Sequence, residues 1–182
     1  MISSIFFKFI KSPFRYLLLG FLFLTIINQL TDIAGIIIPI KSSERKGAKC
    51  LVEKNLRDLG APGSQLVELS YAVKLASEST NLNEELIVAI IKTESDFKRN
   101  AISSKNYKGL MQTPSATFIY VDVDVLHGAR ILKDKLKTTN GNLLQALTLY
   151  KGGNNPVARR YAFETLNLYE KLLNQNNKGV KT

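Results

Sequence analysis

Apolar residues recur at helical spacing through most of the chain after residue 50, and this pattern predicts a bundle of amphipathic helices. Turns rich in glycine, asparagine and proline separate the predicted helices. These helices cover about residues 50–59, 64–79, 84–95, 125–137, 143–150 and 157–173. A short strand is predicted only at 117–123. The expected fold class is therefore mainly α, or α+β dominated by helices, in a single domain.

Polar residues at the ends of the apolar stretches predict where several helices begin and end. Asn81 or Asn83 precedes two glutamates and is expected to cap the third helix. Asn142 is expected to cap the fifth in the same way. The asparagine- and lysine-rich residues 174–182 predict a flexible, frayed tail.

The N-terminus has a different pattern, in which an almost unbroken apolar run covers residues 16–30 and a second one covers 33–40. Lys8, Lys11 and Arg15 precede it without any acidic residue. This pattern predicts either a cleaved export signal or an uncleaved anchor, and we favour an inner-membrane anchor formed by residues 16–40 because no small-residue cleavage site follows. The basic flank then keeps the N-terminus in the cytoplasm and places the remainder in the periplasm, within the cell envelope.

The expected organisation has four parts: residues 1–40 as signal or anchor, 41–60 as a basic linker with a short helix, 61–173 as the folded domain, and 174–182 as the tail. The chain of 182 residues has a formal net charge of +10, which favours an anionic partner without specifying its class. Cys50 and His127 are the only cysteine and histidine. These single residues argue against a disulfide framework and a structural zinc site.

Glu94 is the first candidate for chemistry, because it shares a helical stripe with apolar residues. Steps of three, four and seven residues back from it reach Ile91, Ile90 and Ile87. A carboxyl group in apolar surroundings keeps its proton to higher pH, since desolvation disfavours the ionised form. Such a group can act as a general acid near neutral pH.

A polar, turn-rich segment follows Glu94 and leads to the sequence Gly109-Leu110-Met111-Gln112. Glycine permits a tight turn and a close approach of the backbone, and the turn returns the Gln112 amide toward the helix just left. With the hydroxyl of Ser95, these groups form a plausible set for binding a sugar.

Three short motifs, in this order along the chain, resemble those of the soluble lytic transglycosylase (SLT) domain. They are Glu94-Ser95, Gly109 to Gln112, and Leu149-Tyr150-Lys151-Gly152-Gly153. This domain has a lysozyme-like fold related to goose-type lysozyme, and the resemblance covers roughly residues 61–173. It implies a helical catalytic domain with a central cleft that binds peptidoglycan glycan strands.

The resemblance also implies a role for each matching residue. Glu94 would be the catalytic acid and Ser95 a neighbour that hydrogen-bonds near it. Met111 and Gln112 would form part of the sugar cleft after Gly109, and the Tyr150 hydroxyl would lie over the catalytic carboxyl.

Two positions depart from the family pattern. Lys151 replaces an asparagine whose role is either lost or taken by Asn154 or Asn155, and Asp124 replaces an asparagine ahead of the fourth helix.

The implied chemistry needs one carboxyl and no metal or organic cofactor. Glu94 first protonates the bridging oxygen between MurNAc and GlcNAc, and then, as a base, activates the sugar's own 6-hydroxyl, which gives a 1,6-anhydromuramyl end. A hydrolytic muramidase is the nearest alternative, and it would need Asp122 or Asp124, expected in the loop after Gln112, as a second carboxylate.

A further alternative is an inactive peptidoglycan-binding scaffold of an envelope machine. The sequence leaves open a role with a secretion or conjugation apparatus. A nucleic-acid binder is disfavoured, because the chain lacks a stacking platform and the export segment places the domain outside the cytoplasm.

Overall fold

The computed structural model describes residues 51–114, 116 and 120–179, which all belong to one compact unit. Residues 51–58 are helical (α1), and a 3-10 turn at Gly63–Gln65 precedes the next helix. The remaining helices are α2 (Leu66–Thr80), α3 (Glu84–Ser95), α4 (Val121–Thr138), α5 (Leu143–Tyr150) and α6 (Pro156–Gly179). The mainly α, lysozyme-like fold class predicted from the sequence is confirmed.

The predicted N-terminal signal or anchor lies outside the described residues, as does Cys50. Among the helices that are described, none combines the length and the apolar character needed to cross a membrane.

Helix α3 occupies the centre of the domain. Its residues 86–91 are all buried, and Ile87, Ile90 and Ile91 are completely inaccessible to solvent. A helix that is apolar on every side must be covered on every side. Here α3 packs against α6 and α2, while α2 packs on α4, and α5 fills the space between α4 and α6. The last turn of α3, which carries Glu94, therefore directly follows a fully buried segment.

Two consecutive residues with positive φ end α3 abruptly. Asp96 has φ 53° and Phe97 has φ 61°, and the Phe97 side chain is buried in the core. Left-handed backbone is unfavourable for residues other than glycine, so the burial of Phe97 helps to hold it. The chain turns away directly after Glu94 and begins the long connection to α4.

This connection contains two isolated antiparallel bridges, Ile102 with Lys108 and Lys108 with Thr113, which fold it into a small loop. The strand expected at 117–123 is wrong for 121–123, which form the start of α4, while 117–119 lie outside the described residues. Asp122 and Asp124, expected in a loop, lie in the first turn of α4. Carboxylates there interact favourably with the positive end of the helix dipole, which offsets the β propensity of the neighbouring valines.

The C-terminal tail also differs from the expectation, because α6 continues to Gly179 instead of fraying from residue 174. Asn176 donates a 2.8 Å hydrogen bond to the Glu85 carboxylate, which fastens the last turns of α6 to the start of α3.

Asn83 does occupy the N-cap of α3, although its side chain bonds to Tyr169 and not to the helix. The predicted cap of α5 is confirmed, since the Asn142 side chain accepts the Gln145 amide proton.

Candidate active site

Glu94 lies in the last turn of α3, and its side chain is only 2% exposed. The apolar stripe predicted beside it is present, because the three isoleucines that precede it at helical spacing are fully buried. The helix thus places one carboxyl group between the buried core and a cavity. The energetic cost of desolvation at this position is substantial.

A cavity of about 360 Å³ opens at this carboxyl. Four segments form it: the end of α3, the loop after α3, the end of α5 and the start of α6. Its described lining residues are Glu94, Ser103, Ser104, Lys105, Tyr107, Gln112, Tyr150, Lys151, Asn155, Val157 and Ala158. Hydroxyl, amide and charged groups line it together with aromatic rings, which is a suitable lining for a carbohydrate.

Lys151 is the direct partner of Glu94, and its Nζ lies 2.6 Å from Oε2 of the carboxylate. The lysine is the C-cap residue directly after α5, so its position follows from the packing of α5 beside α6. The same Nζ lies 4.7 Å from the centroid of the Tyr161 ring, which is a cation–π distance. Nothing in the local pattern around Lys151 indicated this contact, because the two paired residues are 57 positions apart.

Burial raises the pKa of Glu94 above its ordinary value of 4.5, and this is the largest influence on the group. Lys151 lowers the pKa through its hydrogen bond and its charge, and Tyr161 lowers it through its hydroxyl, but the net direction remains upward. The site therefore keeps the proton on Glu94 to higher pH than an exposed glutamate would, and it places a cation beside the ionised form. A group that must both give and accept a proton needs this balance.

The Tyr150 hydroxyl, which the resemblance places over the carboxyl, has a hydrogen-bond partner of its own. It donates a 2.8 Å hydrogen bond to the backbone carbonyl of Met111, and its single proton is thereby used. Burial and the Glu94 charge raise the pKa of Tyr150 well above its usual range. The ring still lines the cavity, so Tyr150 braces the turn at Met111 and forms one wall.

Tyr161, on the buried face of α6, brings a hydroxyl to Glu94. It is close enough to lower the pKa of the carboxyl, although it makes no hydrogen bond of standard geometry with any described residue. Burial, reinforced by the charge of Glu94, keeps the pKa of Tyr161 well above its usual range. The hint in the sequence was a tyrosine on the buried face of the last helix, since a buried hydroxyl generally needs a partner.

The turn at Gly109 forms as expected, but the polar side chain of this turn makes hydrogen bonds to the protein backbone. Gly109 has φ 76°, and Gln112 has φ 48° with its amide donating to the carbonyls of Ala101 and Gly109 at 3.0 and 2.8 Å. Gln112 nevertheless lines the cavity. The Ser95 hydroxyl is buried and bonds back to the Ile91 carbonyl, one helical turn earlier. These contacts fix the cavity wall on the α3 side.

Met111 belongs to the core and is not among the cavity-lining residues, in contrast to the expected place in the sugar cleft. Its side chain is 1% exposed and packs against α4 at Gly128. A Cβ atom on residue 128 would lie 2.7 Å from both the Cβ and the sulfur of Met111. Only glycine leaves room there, so the pair sets the position of the turn relative to α4.

Three further carboxylates, those of Asp96, Asp122 and Asp124, are not among the described lining residues of the cavity. Asp96 is exposed and pairs with Lys92, which lowers the pKa of the aspartate. Asp122 and Asp124 belong to α4, and neither is a lining residue. Among the described lining residues, Glu94 is the only carboxylate.

Asn154 and Asn155, the two residues considered as replacements for the family asparagine, have different positions. Asn155 lines the cavity, and its side-chain oxygen accepts the Ala158 amide proton and thus caps α6. Asn154 lies in a separate depression beside α5. Lys151 itself therefore takes the place nearest to the carboxyl.

Comparison with known structures finds no solved structure that matches the chain. Comparison with protein families matches residues 72–123 to the transglycosylase SLT domain. The match begins within α2, includes Glu94 and the turn from Gly109 to Gln112, and ends in the first turn of α4. This finding confirms the resemblance to the SLT domain: residues 72–123, which contain the first two of the three motifs, match the transglycosylase SLT domain.

Proposed function

We propose that the protein is a peptidoglycan lytic transglycosylase that cleaves the MurNAc–GlcNAc bond with Glu94 as its single acid and base. The SLT match indicates a lytic transglycosylase-type activity related to peptidoglycan. The observation that supports the finer assignment is the burial of one carboxylate at the cavity, without a second one among the described lining residues. A one-carboxyl reaction needs no other acidic side chain.

In the first step, protonated Glu94 gives its proton to the bridging oxygen and the bond from that oxygen to the anomeric carbon breaks. In the second step, the Glu94 carboxylate removes the proton of the 6-hydroxyl of the same sugar, whose oxygen bonds to the anomeric carbon. The anhydro end forms, and Glu94 regains its proton. Burial supports the first step by raising the pKa of Glu94, and the hydroxyl of Tyr161 and the ammonium of Lys151 support the ionised intermediate state.

Replacing Glu94 with glutamine tests this assignment, because glutamine keeps the size and polarity of the side chain but has no proton to transfer. Mass spectrometry of muropeptides released from purified sacculi should show 1,6-anhydromuramyl ends for the parent and a rate loss of at least about a hundredfold for Glu94→Gln. Asp96→Asn is a matched control, since Asp96 is two residues away and exposed. Cleavage by Glu94→Gln at a rate near that of the parent would exclude the proposed role.

The same products separate the transglycosylase from a hydrolase, because hydrolysis leaves reducing muramic ends. The positions of Asp122 and Asp124 in α4 do not favour the two-carboxylate mechanism. A second candidate is a non-catalytic glycan-binding domain, and the observation that favours it is the 2.6 Å ion pair with Lys151, which stabilises the ionised form of Glu94 and so opposes donation of its proton. In that case the parent would bind sacculi without releasing any muropeptide.

We further propose that residues 16–40 anchor the protein in the inner membrane with the domain in the periplasm. Support comes from the basic residues ahead of the apolar run, because orientation follows the lysine and arginine bias. A reporter that works only outside the cytoplasm should be active when fused after Lys49. Activity of a cytoplasmic reporter at the same junction would contradict the proposal.

A further inference from the structure

Two lysine side chains reach the cavity from different walls. Lys151 is the C-cap residue directly after α5, and its side chain is 34% exposed while its ammonium group contacts Glu94. Lys105 lies on the loop that follows α3 and is exposed. Its Nζ is 3.4 Å from the position that a Cβ atom would take on residue 152, the immediate neighbour of Lys151. The fold thus brings both lysine side chains to the lining of one cavity.

The charges of the cavity do not balance. Its described lining residues carry two ammonium groups, on Lys105 and Lys151, and one carboxylate, on Glu94. The difference is one positive charge when Glu94 is ionised and two when Glu94 is protonated. The proposed reaction starts from protonated Glu94, so the reactive state is also the state with the largest unneutralised positive charge. An anion bound in the cavity would lower the electrostatic energy of this reactive state.

We propose that Lys105 and Lys151 form a carboxylate-binding subsite beside Glu94, which selects glycan strands with free carboxylates over neutral ones. This inference rests on the proposed function in taking a glycan as the substrate. A carboxylate suits the subsite because it can accept charge-assisted hydrogen bonds from two ammonium groups at once. Hydroxyl groups of the sugar cannot supply the missing negative charge.

The subsite also links substrate binding to the state of the acid. A substrate carboxylate bound to Lys151 competes with Glu94 for the same ammonium group, and it places a second negative charge near Glu94. Both effects favour the protonated form of Glu94. Because coupling between two binding events is reciprocal, protonation of Glu94 strengthens carboxylate binding by the same factor. A strand with a free carboxylate would therefore prepare the acid that cleaves it.

Calorimetric titration of the full chain carrying Glu94→Gln tests the subsite without interference from cleavage. The probe is a tetrasaccharide of alternating N-acetylglucosamine and N-acetylmuramic acid with free lactyl carboxylates, compared with its methyl ester. We expect the free acid to bind about tenfold more tightly than the ester, which corresponds to one good charged hydrogen bond. Lys105→Gln and Lys151→Gln, each added to Glu94→Gln, should remove most of that difference and leave ester binding unchanged.

Lys108→Gln is the matched control, because it removes the same charge from the same loop at a residue that does not line the cavity. It should leave the preference for the free acid intact. A peptide-bearing tetrasaccharide separates the two sources of carboxylate: binding as tight as that of the free acid assigns the subsite to stem-peptide carboxylates as well, and binding as weak as that of the ester restricts it to the lactyl group.

Equal binding of acid and ester, or an equal loss with Lys108→Gln, would overturn the subsite. These two outcomes are independent of the proposed catalytic role. That role fails only if Glu94→Gln still cleaves sacculi, a result that the binding measurements neither require nor exclude.

Discussion

Replacing Glu94 with glutamine should change how the stability of the protein depends on pH, and the sign of the change shows which influence on the carboxyl is larger. Burial raises the pKa of Glu94 above 4.5 and outweighs the opposing effect of Lys151. Between 4.5 and the native pKa, the native state then binds more protons than the unfolded chain. The free energy of unfolding therefore falls as the pH rises through this range. Glutamine has no proton to lose, so the variant lacks this fall.

The size of the effect follows from two opposing contributions. Moving an ionised carboxylate out of water costs several kcal/mol, and the Glu94 side chain is only 2% exposed. In the parent, the 2.6 Å ion pair with Lys151 offsets most of this desolvation cost. In the Glu94→Gln variant, the Lys151 ammonium has lost its partner, but the partial exposure of Lys151 lets water solvate it. We expect the stability of Glu94→Gln, relative to the parent, to increase by about 1–2 kcal/mol between pH 4 and pH 8. This corresponds to several degrees in Tm.

Urea and thermal denaturation of both proteins at pH 4, 6 and 8 measure this difference directly. Asp96→Asn is the matched control, because Lys92 lowers the pKa of Asp96 below 3.8. The stability that Asp96 gains on ionisation therefore develops mostly below pH 4, so this variant should change little relative to the parent between pH 4 and pH 8. If Glu94→Gln instead loses stability relative to the parent between pH 4 and pH 8, the ion pair outweighs burial and the reasoning about a proton-retaining carboxyl is wrong.

Three further substitutions test individual contacts of the site. Tyr150→Phe should lower the free energy of unfolding by about 1 kcal/mol, because it leaves the Met111 carbonyl without its buried donor, and denaturation with urea checks this. Gly128→Ala should destabilise by about 1–3 kcal/mol through its clash with Met111 despite the better helix propensity of alanine, and a net gain in the same assay would contradict this packing. Lys151→Gln should move the alkaline limb of the kcat/KM profile to higher pH, because the ammonium lowers the pKa of Glu94, and an unchanged limb would show that the pair does not control the acid.

The amino-acid sequence by itself determined the helices and the position of Glu94 on one of them. Helical periodicity is a local property, so Ile87, Ile90 and Ile91 were sufficient to predict that the carboxyl follows a buried stripe. The same locality explains the correct prediction of the Asn142 cap and of the glycine-led turn after α3. It also explains the wrong strand at 121–123, since β-branched residues alternate there but acidic side chains at a helix start favour α4.

Only the tertiary structure decided which side chains meet Glu94. The partner is Lys151, which is 57 residues away in sequence, and the second hydroxyl nearby is that of Tyr161 on another helix. Their convergence depends on how α3, α5 and α6 pack, which no local pattern specifies. Met111 was misplaced for the same reason, because a methionine at a turn is as suited to a cleft as to a core until the space at Gly128 is known. Local pattern fixes where a helix points its residues, whereas the pairing of charges across a cavity depends on the packing of helices far apart in the chain.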